Sequence, residues 1–191
     1  MGRTHPKKWR SIIKILILVL FFSQNLLASV TFMQNCRAIE GDYLQFIIET
    51  SDTILKKNSS FALKITAFED SNCKIPYLKF NQYFIVDNIQ KESIDLKTEK
   101  VTYTALTEEV TQALRNINFC GLQKWSTSAE TDVTGKMCDD FQQLTKADIF
   151  YQIIKNENNF LKFGNTTKSL DGRSHQRRPV QFDNLEYTIT K

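Results

Sequence analysis

Cysteine is the residue type in this sequence that most directly offers covalent chemistry. The chain has four cysteines, Cys36, Cys73, Cys120 and Cys138. An even number in an exported protein indicates disulfide bonds, because an oxidising compartment lets thiols pair. Of the three connectivities that four cysteines allow, we expect Cys36–Cys73 and Cys120–Cys138, since each closes a modest loop and neither crosses the other. A zinc site is the alternative, but no Cys-x-x-Cys or His-x-x-x-His spacing is present.

Histidine offers acid–base and metal chemistry, and the chain contains two, His5 and His175. These two exclude the catalytic and metal motifs that need a histidine pair. His175 lies in the segment 173–178 (RSHQRR), where positive charge opposes the imidazolium that a catalytic base must become. We therefore expect no enzyme activity, no catalytic residues and no cofactor.

Three arginines in the same segment offer anion binding. A guanidinium group matches phosphate and carboxylate oxygens with two parallel hydrogen bonds. Arg173, Arg177 and Arg178 are therefore candidates for binding an anionic headgroup, with Trp125 at the same rim. The alternative is a solvated loop, or arginines packed on aromatic side chains of the fold.

Four carboxylates lie close together in the sequence. Glu130, Asp132, Asp139 and Asp140 could supply oxygen ligands for Ca²⁺. Their spacing is not that of an EF-hand, and Asp132 could instead hydrogen-bond the backbone of its own turn. We favour a solvated loop and expect no metal site.

Apolar and polar residues alternate with a period of two through most of the chain. The elements that must position these residues are therefore strands. In one stretch, apolar Phe61, Leu63 and Ile65 alternate with polar Lys64 and Thr66. Such alternation is typical of a half-buried strand. The predicted strands span 43–50, 61–68, 77–87, 101–104, 149–154, 160–163 and 185–189. Seven or eight short antiparallel strands indicate a mainly β fold, either a barrel or a sandwich.

One segment has helical spacing instead. Apolar residues recur at positions 110, 113, 114 and 117, which predicts an amphipathic helix over 107–117. Thr107 can cap its first turn, and Glu108 and Glu109 lie where the helix dipole favours negative charge. The polar stretch 124–140 has no regular spacing of apolar residues. It is predicted to be a long loop that is held at its ends by Cys120 and Cys138.

The amino-terminal segment has the order of a secretory signal peptide. A basic stretch at 7–10 is followed by an apolar run at 15–22 and by small residues at Ala28 and Ser29. The apolar run covers eight positions, whereas a membrane span needs about 20 residues. We expect residues 1–28 to be removed, leaving one domain over 29–191 that does not span a membrane and is secreted or periplasmic.

The net charge of the exported part of the chain limits the partners that we expect. The formal charge is +4, but five basic residues lie in the predicted signal segment, and without them 20 Lys and Arg face 21 Asp and Glu. Nucleic acid is therefore not an expected partner, because it normally requires a positive excess. Sequons at Asn58 and Asn165 would carry glycans in a host that glycosylates exported proteins.

The second half of the chain contains several short motifs of a known family. They are Phe119-Cys120-Gly121, Trp125, Asp132-Val133-Thr134-Gly135, Cys138, Asn159 to Gly164 (NFLKFG), Gly172-Arg173-Ser174 and Arg178-Pro179. Over about 101–183 this pattern resembles the adenomatosis-polyposis-coli-down-regulated (APCDD) domain, especially its small single-domain secreted members. The resemblance implies a lipocalin-like antiparallel β-barrel with disulfides, exported and without catalytic activity. Vertebrate members that it resembles are membrane-anchored glycoproteins that bind Wnt proteins. We expect one copy of the domain and no carboxy-terminal span in this chain. The Gly-x-Trp signature of ordinary lipocalins is absent from the sequence.

The expected function follows from shape and apolar surface. A barrel of about eight strands has room either for packed side chains or for one small ligand. We expect a disulfide-stabilised binding module that holds a lipid or other hydrophobic ligand. The alternative is a protein-interaction module with a filled barrel, acting through its long loops. The side chains expected to line the interior are Leu44, Phe46, Ile48, Leu63, Ile65, Leu78, Phe80, Phe84 and Val86.

Overall fold

The computed structural model of this chain describes residues 29–39, 41–52, 55–157 and 160–190, so the predicted signal peptide at 1–28 lies outside the described residues. The strands are β1 (Val30–Met33), β2 (Arg37–Ile39), β3 (Asp42–Thr50), β4 (Ser60–Phe68), β5 (Pro76–Gln90), β6 (Ser93–Ala105), β7 (Thr131–Asp132), β8 (Met137–Cys138), β9 (Phe141–Gln142), β10 (Ile149–Glu157), β11 (Phe160–Phe163) and β12 (Tyr187–Ile189). The helix α1 spans Glu108–Asn116, and short 3-10 turns lie at Phe119–Gly121 and His175–Arg177.

Eight of these strands close into an antiparallel barrel. Around the ring the order is β1, β12, β11, β10, β6, β5, β4 and β3, and β1 closes the ring by pairing with β3. β2 follows β1 along the same edge of β3, with Arg37 opposite Leu44. The prediction of a mainly β fold, an antiparallel barrel of about eight strands with one amphipathic helix, is confirmed.

The strand register shows how the alternating apolar residues of neighbouring strands come together in the interior of the barrel. Phe46 of β3 lies opposite Ile65 of β4, which lies opposite Phe80 of β5. Phe80 in turn lies opposite Tyr103 of β6. Directly paired residues have side chains on the same face of a sheet, so these apolar groups point together into the barrel. Lys64 and its partners on the neighbouring strands occupy the outer face.

The helix α1 has the local signals that the sequence predicted. The Thr107 hydroxyl accepts a hydrogen bond from the Val110 backbone N–H at 3.2 Å, which caps the first turn. Arg115 in the last turn donates from Nε to the Trp125 carbonyl oxygen at 3.1 Å. This contact ties the helix to the segment that follows it.

Non-strand segments deliver large apolar side chains to the core next to β6. The Phe119 ring lies 5.3 Å from the Tyr103 ring and 6.0 Å from the Trp125 ring, centroid to centroid. Trp125 is 2% exposed, and Leu114 and Val133 are buried in the same core. We call Tyr103, Leu114, Phe119, Trp125 and Val133 the helix cluster.

Both expected disulfides are present. Cys36–Cys73 joins the start of β2 to the turn between β4 and β5. Cys120–Cys138 joins the 3-10 turn after α1 to β8. The predicted connectivity is therefore confirmed, and the described residues contain no free cysteine.

Some predicted boundaries are wrong. β1 and β2 were not predicted. β6 begins at Ser93 although only 101–104 was predicted; in this first half of the strand, buried Ile94, Leu96 and Thr98 alternate with charged residues, a period of two that the prediction did not use. The predicted loop 124–140 contains β7 and β8, since backbone pairing with β6 and β9 orders polar residues as well as apolar ones. Within the described ranges, no helix has the length and apolar character needed to cross a bilayer.

Candidate binding cavity

A cavity of about 460 Å³ lies inside the barrel. Its apolar lining comes from β3, β4, β5, β6, β10, β11 and β12, and its polar lining comes from β2, two strand glutamines and the segment after β11. The lining residues are Arg37, Phe46, Ile48, Phe61, Leu63, Ile65, Gln82, Phe84, Leu96, Phe150, Gln152, Phe163, Gly164, Thr166, Thr167, Lys168, Asp171, Asp183 and Tyr187.

Of the nine residues predicted to line the interior, five line the cavity and four do not. Phe46, Ile48, Leu63, Ile65 and Phe84 line the cavity. The other four lie outside the lining. Val86 is fully buried in the core, Phe80 contacts Tyr103 with ring centroids 4.8 Å apart, and Leu78 packs against the core. Leu44 is half-buried.

Aromatic side chains form much of the cavity wall and contact one another. Phe61 lies edge-on to Phe163 with ring centroids 5.6 Å apart, and Phe163 lies edge-on to Tyr187 at 5.7 Å. Phe84 stacks on Phe150 at 5.9 Å. Offset and edge-to-face pairs at these distances add to the energy of burial, so the wall holds its shape around the open volume.

Gly164 brings the backbone of the chain close to the cavity wall. A Cβ atom at this position would lie 2.5 Å from the Gln152 Oε1 and 2.5 Å from the Pro179 Cβ. Because real Cβ atoms do not come that close to other atoms, any other residue would force the Gln152 side chain and Pro179 to shift. The Gly164 N–H also donates to the same Gln152 oxygen at 3.2 Å.

Fourteen of the nineteen lining residues were not predicted from the sequence, and Arg37 is one of them. Its guanidinium carbon lies 4.6 Å from the centroid of the Phe46 ring, a cation–π contact. Its Nε is buried and has no hydrogen-bond partner among the described residues. No alternating pattern surrounds position 37 in the sequence, and the inward direction of the side chain follows from the pairing of β2 with β3.

Tyr187 places a hydroxyl group on the lining. Burial raises the pKa of Tyr187 to about 12, the nearby Arg37 charge lowers it, and Asp183 raises it. The hydroxyl therefore keeps its proton at neutral pH and can donate a hydrogen bond into the cavity.

The three arginines predicted to bind a headgroup lie outside the cavity lining and contact other parts of the chain. Arg178 pairs with Asp95 at 2.5 Å, with the two side chains 13% and 16% exposed, and it also donates to the Gln152 carbonyl oxygen at 2.7 Å. Arg177 pairs with Asp171 at 2.7 Å. Their binding of a headgroup stays a prediction.

Two further members of the predicted rim also have contacts within the fold. Arg173 donates to the Gln142 carbonyl oxygen, and its guanidinium carbon lies 4.2 Å from the Phe141 ring centroid. Trp125 belongs to the helix cluster, where its indole N–H donates to the Leu122 carbonyl oxygen at 3.1 Å. His175 is exposed and lies edge-on to Tyr151, with ring centroids 5.7 Å apart.

The carboxylates of the 130–140 segment have separate roles. Glu130 accepts hydrogen bonds from Thr102, Tyr83 and Lys100. Partial burial raises the pKa of Glu130, but these hydrogen bonds outweigh burial and lower it overall. Asp132 accepts from the Thr134 backbone N–H at 2.9 Å, the turn contact considered from the sequence. Among the described residues, no three His, Cys, Asp or Glu side chains come together as a metal site.

Comparison of the sequence with protein-family models finds no match, and comparison with curated proteins finds none either.

Proposed function

We propose that this protein is a secreted or periplasmic, non-enzymatic binding module that holds a hydrophobic small molecule or lipid inside its barrel. The cavity of about 460 Å³ is the observation that carries the proposal. Pockets for small ligands commonly measure about 300 to 1,000 Å³ and are mostly apolar with a few polar groups. The ligand would exchange water for the aromatic wall, at roughly 25 cal/mol for each Å² of apolar surface buried.

Export and family membership belong to the same proposal. Disulfides form and persist in oxidising compartments, and the two in this fold, Cys36–Cys73 and Cys120–Cys138, support export. The resemblance to the APCDD domain, with the lipocalin-like barrel it implies, supports a hydrophobic ligand, and it makes a Wnt protein one partner to test. The proposal assigns no reaction to the cavity, and His175 lies outside its lining.

The test is binding of the neutral fluorophore phenylnaphthylamine, which brightens in an apolar site. We expect saturable binding to the purified protein, and a co-purifying lipid in native mass spectrometry of protein from its host. Leu63→Trp fills the cavity and should abolish fluorophore binding. Ile47→Trp is the matched control, because Ile47 pairs with Lys64 on the outer face of the same two strands.

A second candidate function is protein interaction through the loops. Met137 and Phe141, on the short β8–β9 hairpin, are 54% and 55% exposed. Met137 pairs with Gln142 and Phe141 pairs with Cys138, so the two apolar side chains lie on opposite faces of the hairpin and each face offers a partner protein one exposed apolar group. If the folded protein binds no fluorophore and carries no lipid, the hollow-barrel function is wrong and this second function takes its place.

A further inference from the structure

Arg37 differs from the other arginines of the described chain. Arg115, Arg173, Arg177 and Arg178 each donate to at least one carbonyl or carboxylate oxygen. Arg37 forms no ion pair within the described ranges, and its Nε is buried without a hydrogen-bond partner there. Its recorded contact is the face of Phe46, which has no lone pair to accept from the guanidinium N–H groups.

A guanidinium group in a largely apolar wall has fewer polar neighbours than it would have in water. Its Nε is buried without an acceptor among the described residues, and the protein places no carboxylate against the positive charge of Arg37 there. Because Arg37 lines the cavity, an anionic group of a ligand would supply that missing opposite charge. The site therefore favours ligands with a negative group over neutral ones of the same shape.

We propose that the cavity selects amphiphiles that carry a carboxylate, and that the Arg37 guanidinium binds that carboxylate while the chain of the ligand contacts the aromatic wall. This inference rests on the proposed function and names the ligand class of the same site. The guanidinium group lies over the ring face of Phe46. Because Nε is buried, the two terminal Nη groups are the donors that would bind the oxygens of the ligand.

The charges around the cavity agree with an anionic ligand. The lining contains two cationic side chains, Arg37 and Lys168, and two anionic ones, Asp171 and Asp183. Asp171 already pairs with Arg177 at 2.7 Å. The lining therefore has a cationic excess that one ligand carboxylate would balance.

A carboxylate fits this site better than a phosphate monoester. The fork of one guanidinium group matches the two oxygens of a carboxylate with two parallel hydrogen bonds. A phosphate monoester would bring close to two negative charges into a largely apolar volume. Tyr187 adds a neutral hydroxyl donor to the same lining.

The experiment compares palmitic acid with methyl palmitate, which has the same chain and no charge. Both are titrated into the full chain by displacement of phenylnaphthylamine at neutral pH. Because hydrogen bonds to charged groups contribute about 1.5 to 3 kcal/mol, we expect the acid to bind about 10- to 100-fold more tightly than the ester. Arg37→Gln should remove this preference, so that acid and ester bind the variant with similar affinities.

A second readout separates carboxylate binding from a change of fold. Palmitic acid labelled with carbon-13 at its carboxyl group reports its own pKa by NMR, and Arg37 should lower that pKa in the native protein. Arg173→Gln is the matched control, because Arg173 is outside the lining, and it should change neither readout. Equal affinities of the native protein for acid and ester would overturn the inference and leave the hydrophobic site intact. Failure to bind even the neutral fluorophore would instead overturn the proposed function.

Discussion

The cavity and the helix cluster are built on the same alternating strands, yet one is open and the other is filled. Next to β6, the segment after the strand delivers Leu114, Phe119 and Trp125, and Trp125 is 2% exposed. Around the cavity the lining side chains Leu63 and Phe163 remain partly accessible. The strand pattern therefore makes an apolar interior, and the connecting segments determine whether that interior is occupied.

Truncation of side chains should give the largest difference in stability between the cavity and the helix cluster. Trp125→Ala removes a fully packed side chain and leaves a void, so it should lower the free energy of unfolding by about 3 to 5 kcal/mol. Leu63→Ala enlarges a volume that is already open, so its loss should lie near the lower limit for such changes, about 2 kcal/mol. Urea unfolding with intrinsic fluorescence or circular dichroism measures both. Equal losses in the two variants would mean that the interior is packed evenly.

Removal of each disulfide also tests the difference between the open cavity and the filled helix cluster. Cys36–Cys73 spans a sequence separation of 37 residues and Cys120–Cys138 a separation of 18. From loop-closure entropy alone, replacing each pair with alanine should lower stability by about 4 and about 3 kcal/mol, respectively. The first disulfide adjoins Arg37 and the second adjoins the helix cluster.

Ligand binding should respond to the two disulfides differently. Loss of Cys36–Cys73 frees the start of β2 and should weaken phenylnaphthylamine binding under conditions where the variant is still folded. Loss of Cys120–Cys138 should leave that binding nearly unchanged. The reverse ranking would show that the cavity depends on the helix side of the barrel.

Much of the barrel could be predicted from sequence because each long strand carries its own alternation. β3, β4 and β11 agree with the predicted spans within one residue at each end. The cysteine pairing also followed from the sequence, because the simplest uncrossed connectivity is the one that the fold adopts. The helix was predictable from its spacing and its Thr107 cap.

The cavity was not predictable to the same degree. Alternation assigns a residue to the inner face, but it does not tell which part of the interior another segment fills. Phe80 and Phe84 have the same pattern, yet Phe80 contacts Tyr103 beside the helix cluster and Phe84 lines the cavity. Arg37 lies on a strand of three residues whose inward direction depends on pairing with β3, and so its role depends on long-range register.

The smallest effect that we predict concerns Tyr187 at the cavity wall. Burial raises the pKa of Tyr187 to about 12 from its ordinary value of 10.0. As pH rises above 10, the unfolded chain therefore loses this proton before the folded chain does. The contribution of the protonated Tyr187 to the free energy of unfolding is therefore fully present below pH 10, and it is lost as the pH rises towards 12. A shift of two pKa units corresponds to roughly 2 to 3 kcal/mol.

Comparison of the native protein with Tyr187→Phe measures this effect. Urea unfolding at a series of alkaline pH values should show a steeper fall in stability for the native protein, because the phenylalanine variant has no proton to lose at this position. A bound fatty acid should extend the fall to higher pH, since its carboxylate beside Tyr187 would raise the pKa of the tyrosine in the fold further. Parallel pH profiles for the two proteins would indicate that water reaches Tyr187 through the cavity, and that the wall there is less apolar than its aromatic neighbours suggest.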